Sequence, residues 1–389
     1  MLSSVQNPRA MQSLIFARIV YAVNWVNIGA IFVLMEPDLR VGVSGLGEVT
    51  ATFYLGLGLL QIPGGLLAAR WGPKRVVVMG IFLSSLSVLG TSIATSVVEI
   101  AILRFLVGWG MAFVFAPAVI IITSLLRGNK SGMGVGLLNS AFDVGGLLGL
   151  FGWVVVATYT GWRPSLVLSG GLELLTGILV VFLVPSDGAR KTRMDTKALM
   201  TVIKDKQLVL LGMGTIGFDI AYTEISGFMV TYGVKSLALS QVVAGLVTSI
   251  VTVVPIFTAL WGGRAFDVLS RHRSLMIVWL LGSATALALG SYPSLPAAVA
   301  CSALGGVVTG VGFTFALAGA RELNKAGKEY ESLAVAWVNS ISLTGSFFPP
   351  IFFSYVAETF GYHAAWLWSG AITLAFLVPV ALMVERWRR

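Results

Sequence analysis

Residues 64–75 read GGLLAARWGPKR, and residues 262–273, 198 positions later, read GGRAFDVLSRHR. Each stretch places a Gly-Gly pair at the end of a long apolar run and follows it with a short basic turn. An apolar run of about 20 residues is long enough to cross the hydrocarbon core of a bilayer as a helix. The two stretches therefore predict membrane-spanning helices, arranged in the same way twice along one chain.

Composition supports a membrane protein. Of the 389 residues, 57% are hydrophobic and only 11% are charged, whereas charged residues make up about a quarter of a soluble globular chain. The single cysteine excludes an internal disulfide. The first apolar run is too long for the core of a signal peptide, and we interpret it as a retained span.

Twelve apolar runs predict an all-α membrane protein with twelve transmembrane helices in two pseudo-symmetric six-helix bundles. We number the runs as spans one to twelve; they lie near 13–35, 47–69, 76–96, 98–126, 132–158, 164–185, 207–233, 239–262, 274–291, 294–320, 332–357 and 363–384. The longest polar connector divides the chain into an N-terminal bundle (1–185), a cytoplasmic linker (186–206) and a C-terminal bundle (207–389).

The basic residues predict the orientation of these spans. With both termini in the cytoplasm, 21 of the 26 Lys and Arg residues fall in cytoplasmic segments. Only Arg40, Arg163 and Lys235 fall outside, and Arg18 and Arg104 lie within spans. This bias follows the positive-inside rule and predicts a multi-pass protein of the plasma (inner) membrane. It also accounts for the net charge of +9 without a nucleic-acid partner.

The two halves share further residues at a constant offset. Asn139-Ser140 returns as Asn339-Ser340, and the turn Gly161-Trp162 returns as Gly361-Tyr362, each 200 residues later. Parallel repeats of this kind build transporters that rock about a central site. The shared order of the matches indicates a six-plus-six duplication.

At these motifs the chain resembles the major facilitator superfamily over essentially its full length. The loop motif of the family matches Gly65, Arg70, Gly72, Lys74 and Arg75, with Ala69 at its acidic position. A second copy comprises Gly263, Asp267, Arg271 and Arg273, and the span-four motif begins at Arg104. The resemblance implies a twelve-helix bundle in which spans one, four, seven and ten line a central cavity and spans two, five, eight and eleven flank it. It also implies conformational roles for these motif residues, and we expect the protein to be a monomer. The Gly-Pro motif that drug-exporting members carry in span five is absent.

Two aspartates lie deep within spans. A rise of 1.5 Å per residue puts Asp143 at roughly 16 Å and Asp219 at roughly 18 Å along spans five and seven, near the midplane. Each belongs to a stripe of small and polar residues, which by itself predicts close helix packing. Because helix packing needs no ionisable group, we expect both to bind substrate or protons; for Asp143 an ion pair with an arginine of another span is the alternative.

Other polar residues within the spans are weaker candidates. Glu224 lies on a different helical face from Asp219 and is a candidate gate residue, whereas Glu173 lies in a span that the resemblance makes peripheral. Arg18 could bind an anionic group or extend to the membrane interface. Side-chain amides could hydrogen-bond a solute, and the candidates are Asn24, Asn27, Gln61, Asn139 and Asn339.

No arrangement of residues predicts an enzyme or a cofactor. Both histidines, His272 and His363, fall in predicted loops, so a proton relay would use carboxylates, whose charged form burial disfavours. The leading hypothesis is a secondary transporter that imports a small organic solute with protons. A proton-driven exporter of drugs or metabolites is the alternative, and a non-transporting membrane sensor is a third. Substrate charge stays open between a neutral, zwitterionic or cationic solute and an anion bound by Arg18.

Overall fold

A computed structural model describes residues 7–126, 131–185, 196–269, 271–327 and 330–387. The first ten residues of the predicted linker, 186–195, lie outside the described residues, as do the basic residues Arg127, Lys130 and Lys328. The described part is dominated by long helices, and eleven helical segments are long and apolar enough to cross a membrane.

The first six spans form helices whose ends follow from local chemistry. The side chain of Asn7 accepts a hydrogen bond from Ala10 N at 3.1 Å and so caps span one. Gly72 has φ +93°, which suits glycine, and Pro73 then begins span three. The helices are Pro8–Leu39, Val43–Trp71, Pro73–Thr91, Val97–Ala112 continued by Phe115–Ser124, Ser131–Leu147 continued through a π-helical turn Leu148–Gly152 to Trp153–Thr160, and Trp162–Leu183.

The predicted linker contains a helix of its own, Thr196–Ile203. Two of its apolar residues, Ala198 and Val202, are buried, so this part of the linker packs against the bundle. Asp205 follows, caps the next helix through Gln207 N at 2.8 Å, and pairs with Lys325 at 2.9 Å.

The last six spans repeat the arrangement of the first six. Their helices are Lys206–Leu237, Gln241–Val268, His272–Gly290, Leu295–Leu323, Glu331–Gly345 and Phe348–Ala375 continued by Leu377–Ala381. Phe348–Ala375 is broken at Gly361, and this break separates span eleven from span twelve. The predicted twelve-helix fold is confirmed; the division at 186–206 stays a prediction.

The breaks before the sixth span of each half have the same backbone conformation. Gly161 has φ +87° and ψ 164°, and Gly361 has φ +85° and ψ 164°. Glycine adopts this left-handed region without steric strain. The repeated glycine therefore encodes the same chain reversal 200 residues apart.

Both histidines, predicted to lie in loops, lie in helices, and His363 follows the break at Gly361 within Phe348–Ala375. His272, expected in a loop, begins the helix of span nine and is 1% exposed. Its ring stacks on Trp387 at 5.4 Å. Its Nε2 contacts Phe266 O at 3.2 Å, and its Nδ1 accepts from Trp387 N at 3.3 Å. The prediction was wrong because the helix begins earlier than the apolar run and buries this ring.

The helices end at two faces of the bundle. The terminal face carries Asn7, Trp387 and the turns after even-numbered spans; the opposite face carries the turns after odd-numbered spans. At the opposite face the halves are joined by the Lys235–Glu36 ion pair at 2.7 Å. There Ser44 N also donates to Glu358 Oε2 at 2.9 Å.

Candidate functional site

A cavity of about 650 Å³ lies between the two halves. Spans one, two, four and five form one wall, and spans seven, eight, ten and eleven form the other. Its charged lining residues are Arg18, Asp143, Asp219 and Arg321. Both repeats therefore supply the same set of four helices to one chamber, and spans two, five, eight and eleven line it in addition to the predicted spans one, four, seven and ten.

The cavity extends towards the terminal face. Thr123, Arg321 and Val335 line it near the terminal-face ends of spans four, ten and eleven. Beyond Trp25 the space narrows to a void of about 20 Å³ lined by Gly29, Gly227 and others. The chamber thus continues towards one face, and packed helices and the two contacts described above close it at the other.

Asp143 and its stripe meet the cavity only in part. Gly136, Asn139 and Asp143 line it, whereas a side chain at Gly146 would meet Thr252 Cγ2 of span eight at 2.8 Å. Asp143 makes no ion pair with an arginine among the described residues. The stripe therefore lines the chamber as far as Asp143, and from Gly146 onwards it packs against span eight.

Asp219 lies across the chamber from the N-terminal half. Its Oδ2 accepts a hydrogen bond from Ser342 Oγ of span eleven. Thr215 and Asn339 line the same wall. Asn139 and Asn339, which are equivalent in the repeat, thus both reach the cavity.

Arg18 is inside the protein and lines the cavity, with 7% of its surface exposed. Its guanidinium carbon lies 4.3 Å from the ring centre of Tyr21, 4.5 Å from that of Phe115 and 4.6 Å from that of Phe142. Of the two predicted alternatives, this position disfavours extension to the interface.

Asn24 and Asn27 lie behind the cavity wall in a buried network. Asn24 Nδ2 donates to Glu173 Oε2 at 2.8 Å, and Ser84 Oγ donates to Glu173 Oε1 at 2.8 Å. Asn27 Nδ2 donates to Asn24 Oδ1 at 2.9 Å and to Ser169 Oγ at 3.3 Å. The structure therefore does not bring these amides to the chamber, because span six covers them.

Arg104 supports span one from the side. It donates to the carbonyl oxygens of Asn24 at 2.8 Å and Trp25 at 3.1 Å, and its guanidinium carbon lies 4.3 Å from the ring centre of Phe53. These contacts hold the part of span one between the large cavity and the small void. Arg104 is thus placed to connect spans one, two and four.

Glu224 is also away from the large cavity. It is 1% exposed, and its Oε2 has no hydrogen-bond partner among the described residues. Glu224 occupies the position that Asn24 has in the first half, beside Ser369, the repeat of Ser169. The N-terminal half therefore carries its buried carboxylate, Glu173, on its sixth helix, and the C-terminal half carries its buried carboxylate, Glu224, on its first helix.

The loop-motif residues lie at the terminal face. Gly72 adopts the positive φ that ends span two, and Lys74 Nζ donates to Val181 O of span six at 2.8 Å. In the second copy, Arg273 pairs with Glu385 at 2.8 Å. The other motif residues lie in the same two turns or their flanking helix ends; they are Gly65, Arg70, Arg75, Gly263, Asp267 and Arg271.

The aromatic lining of the chamber was not predicted. Tyr21 and Trp25 of span one line one wall, and Phe218, Tyr222 and Phe313 line the opposite wall. In the sequence of a membrane protein, aromatic residues that line a cavity cannot be distinguished from aromatic residues that face lipid. Only their spacing from Asp219 on span seven could have indicated Phe218 and Tyr222.

Comparison with known proteins identifies the family. The model of the Major Facilitator Superfamily matches residues 14–234 and 209–388. The multidrug resistance efflux pump PmrA of Streptococcus pneumoniae is 26% identical over 90% of each chain. The probable sulfoacetate transporter SauU of Cupriavidus necator is 25% identical over 46% of this chain, and the match spans only 41% of SauU.

A solved structure shares the fold. The crystal structure of a D-xylose-proton symporter superposes with a TM-score of 0.76, at 17% identity, covering 97% of this chain and 98% of that one. Together with the eleven apolar helical segments, these matches identify a multi-pass membrane protein related to transporters of small solutes. The chain belongs to the Major Facilitator Superfamily.

Proposed function

We propose that this protein is a secondary active transporter that imports a small organic solute together with protons by alternating access. One observation carries the proposal: the two halves enclose a chamber of about 650 Å³ into which each half places an aspartate, Asp143 and Asp219. A carboxylate within a membrane span is costly, and it typically marks a substrate or proton pathway.

The closed and open ends of the chamber support an alternating-access cycle. If the positive-inside bias sets the orientation, the terminal face is cytoplasmic and the chamber is open inward. We propose that the chain lies in the plasma (inner) membrane as a monomer with both termini in the cytoplasm. The opposite face would open when the Lys235–Glu36 pair and the contact between Ser44 and Glu358 separate.

The candidate residues take different roles in this proposal. Asp143 and Asp219 bind protons, and Asn139, Asn339 and Arg18 contact the solute. Asn24, Asn27 and Glu224, which lie outside the chamber lining, act indirectly by fixing spans one and seven. Arg104 and the two loop motifs govern the movement of the halves, consistent with the contacts of Arg104 to span one.

Flux in proteoliposomes under an imposed pH gradient tests the proposal. Solute should accumulate with the proton gradient in the wild type and should not accumulate in Asp143→Asn or Asp219→Asn. Glu48→Gln, a neutralised carboxylate at an exposed position, is the matched control and should transport normally. Proton-driven accumulation at the wild-type rate in both aspartate variants would refute the coupling role.

Export is the second candidate function. The relation to PmrA, an efflux pump, over 90% of each chain and the aromatic lining of the chamber favour it. The direction of flux separates the two: an exporter moves solute against the direction of proton flow, whereas a symporter moves both in the same direction. A protein without flux for any solute would favour a membrane sensor.

A further inference from the structure

We infer that the transported solute is an amphipathic organic anion whose acid group binds Arg18. This inference rests on the chamber being the transport site, as proposed above. Arg18 lines the chamber with 7% of its surface exposed. Its Nε and Nη1 are buried and have no hydrogen-bond partner in the part of the chain that the structure describes.

Aromatic contact compensates the charge of Arg18 only in part. Three rings surround the guanidinium carbon at 4.3, 4.5 and 4.6 Å. Cation–π contacts offset only part of the free-energy cost of removing a charge from water. The rings also accept no conventional hydrogen bond from the guanidinium N–H groups. The phenol of Tyr21 offers the guanidinium one neutral hydrogen-bond partner, so the site still lacks an anionic acceptor.

No carboxylate of the described residues supplies that anionic acceptor. Arg18 takes part in none of the ion pairs found among them, which join Lys235 to Glu36, Arg273 to Glu385 and Lys325 to Asp205. Asp143 lines the same chamber without contacting the guanidinium, and Asp219 is hydrogen-bonded to Ser342. A planar oxyanion such as a carboxylate matches the rigid donor fork of arginine.

The remaining wall indicates the body of the solute. Rings from both halves line the chamber around Arg18, including Tyr21, Trp25, Phe142, Phe218 and Tyr222. Such walls bind an apolar or aromatic body, while a few polar groups fix its orientation. A solute with a carboxylate and a hydrophobic body would pair with the Arg18 guanidinium and pack against the aromatic wall.

Charge balance links this anion to protons. The ionisable groups that face the chamber are Arg18, Arg321, Asp143 and Asp219, with the phenols of Tyr21 and Tyr222. A bound anion is repelled by ionised Asp143 and Asp219 and is tolerated when they carry protons. By linkage, anion and proton binding strengthen each other. A cationic solute would have the reverse dependence, because it would compete with protons for the aspartates.

Binding calorimetry with matched probes tests the inference on the purified full-length protein. The probes are 3-phenylpropionate, 3-phenylpropionamide and 3-phenylpropylammonium, with hexanoate, hexanamide and hexylammonium as aliphatic counterparts. Measurements at about pH 6 and about pH 8 keep the free acids ionised. A hydrogen bond to a charged group contributes about 1.5–3 kcal/mol, so an acid should bind about 10- to 150-fold more tightly than its amide. It should also bind more tightly at the lower pH.

Variants assign the effect to Arg18. Arg18→Gln should abolish the preference for acid over amide while retaining amide binding, which also shows that the chamber is folded. Arg163→Gln is the matched control, because Arg163 also contacts an aromatic ring, Trp162 at 4.1 Å, but lies outside the chamber lining. Acids that bind no better than their amides would overturn the inference, as would preferred binding of the ammonium probes or an unchanged preference in Arg18→Gln.

Flux of the bound acid separates this inference from the transport proposal. An acid that binds through Arg18 but is not carried across proteoliposomes contradicts transport and leaves the anion site intact. Proton-driven flux of neutral or cationic solutes that Arg18→Gln does not reduce supports transport and contradicts the anion site.

Discussion

Gly29→Ala is expected to open the protein at the opposite face. Gly29 of span one meets span seven where the large cavity ends. A Cβ at this position would lie 2.8 Å from the carbonyl oxygens of Gly227 and Ser226, and 2.9 Å from Gly227 Cα. All three atoms belong to the backbone, so no side-chain rotation relieves the clash.

The change in the conformational equilibrium depends on which state contains the clash. Overpacking by a methyl group costs about 1–3 kcal/mol, and in alternating access the cost falls only on the state in which spans one and seven touch. The helix preference of alanine over glycine, about 1 kcal/mol, is present in both states and cancels. The ratio of open to closed opposite face should therefore rise about 5- to 150-fold.

Distances between spin labels on the opposite face measure this ratio. The only cysteine, Cys301, is buried and can be replaced by alanine. Labels then go to Ile93 and Tyr292, which are 78% and 63% exposed in equivalent turns of the two halves. The variant should gain a population with longer distances. Gly171→Ala is the matched control, because a Cβ there has no atom within 4 Å.

The outcome that contradicts the reasoning is specific. If Gly29→Ala gives the same distance distribution as Gly171→Ala while both proteins remain folded, the crossing at Gly29 does not hold the face closed. The opposite face would then be closed by its peripheral contacts, and the two central helices would not separate there.

Three further perturbations have smaller or more local effects. Lys235→Met removes the 2.7 Å ion pair to span one. Because Lys235 is 38% exposed, the pair contributes only about 0.2–1 kcal/mol. The ratio of open to closed opposite face, measured with the same spin labels, should therefore rise less than about fivefold. Glu173→Leu leaves buried Ser84 Oγ without its acceptor and Asn24 Nδ2 with only Ser169 O at 3.4 Å. It should lower the free energy of unfolding in detergent by about 1–3 kcal/mol, and Glu173→Gln should lower it less. Burial acts against ionisation of Glu385, but hydrogen bonds from Ser274 and the charge of Arg273 hold its pKa below the ordinary value. Its stabilisation is therefore present at neutral pH and lost on acidification, so the thermal stability of Glu385→Gln should converge on that of the wild type as pH falls below about 4.

The sequence by itself determined the number of helices and their duplication. Apolar length sets whether a segment can span a bilayer, and this property is local. The repeated glycines at 161 and 361 signalled the same turn, and both adopt positive φ. The depth of Asp143 and Asp219 followed from helical rise alone, and both line the chamber.

Only the tertiary structure decided which polar residues share a chamber. Asn24 and Asn139 look alike as amides in apolar helices, yet Asn24 bonds to Glu173 behind the wall and Asn139 faces the cavity. In a membrane-spanning helix the lipid-facing surface and the surface packed against other helices are both largely apolar. Hydrophobic periodicity therefore does not distinguish one surface from the other. The rotation of each helix is set by close packing such as that of Gly29 on Gly227, which depends on residues almost 200 positions away.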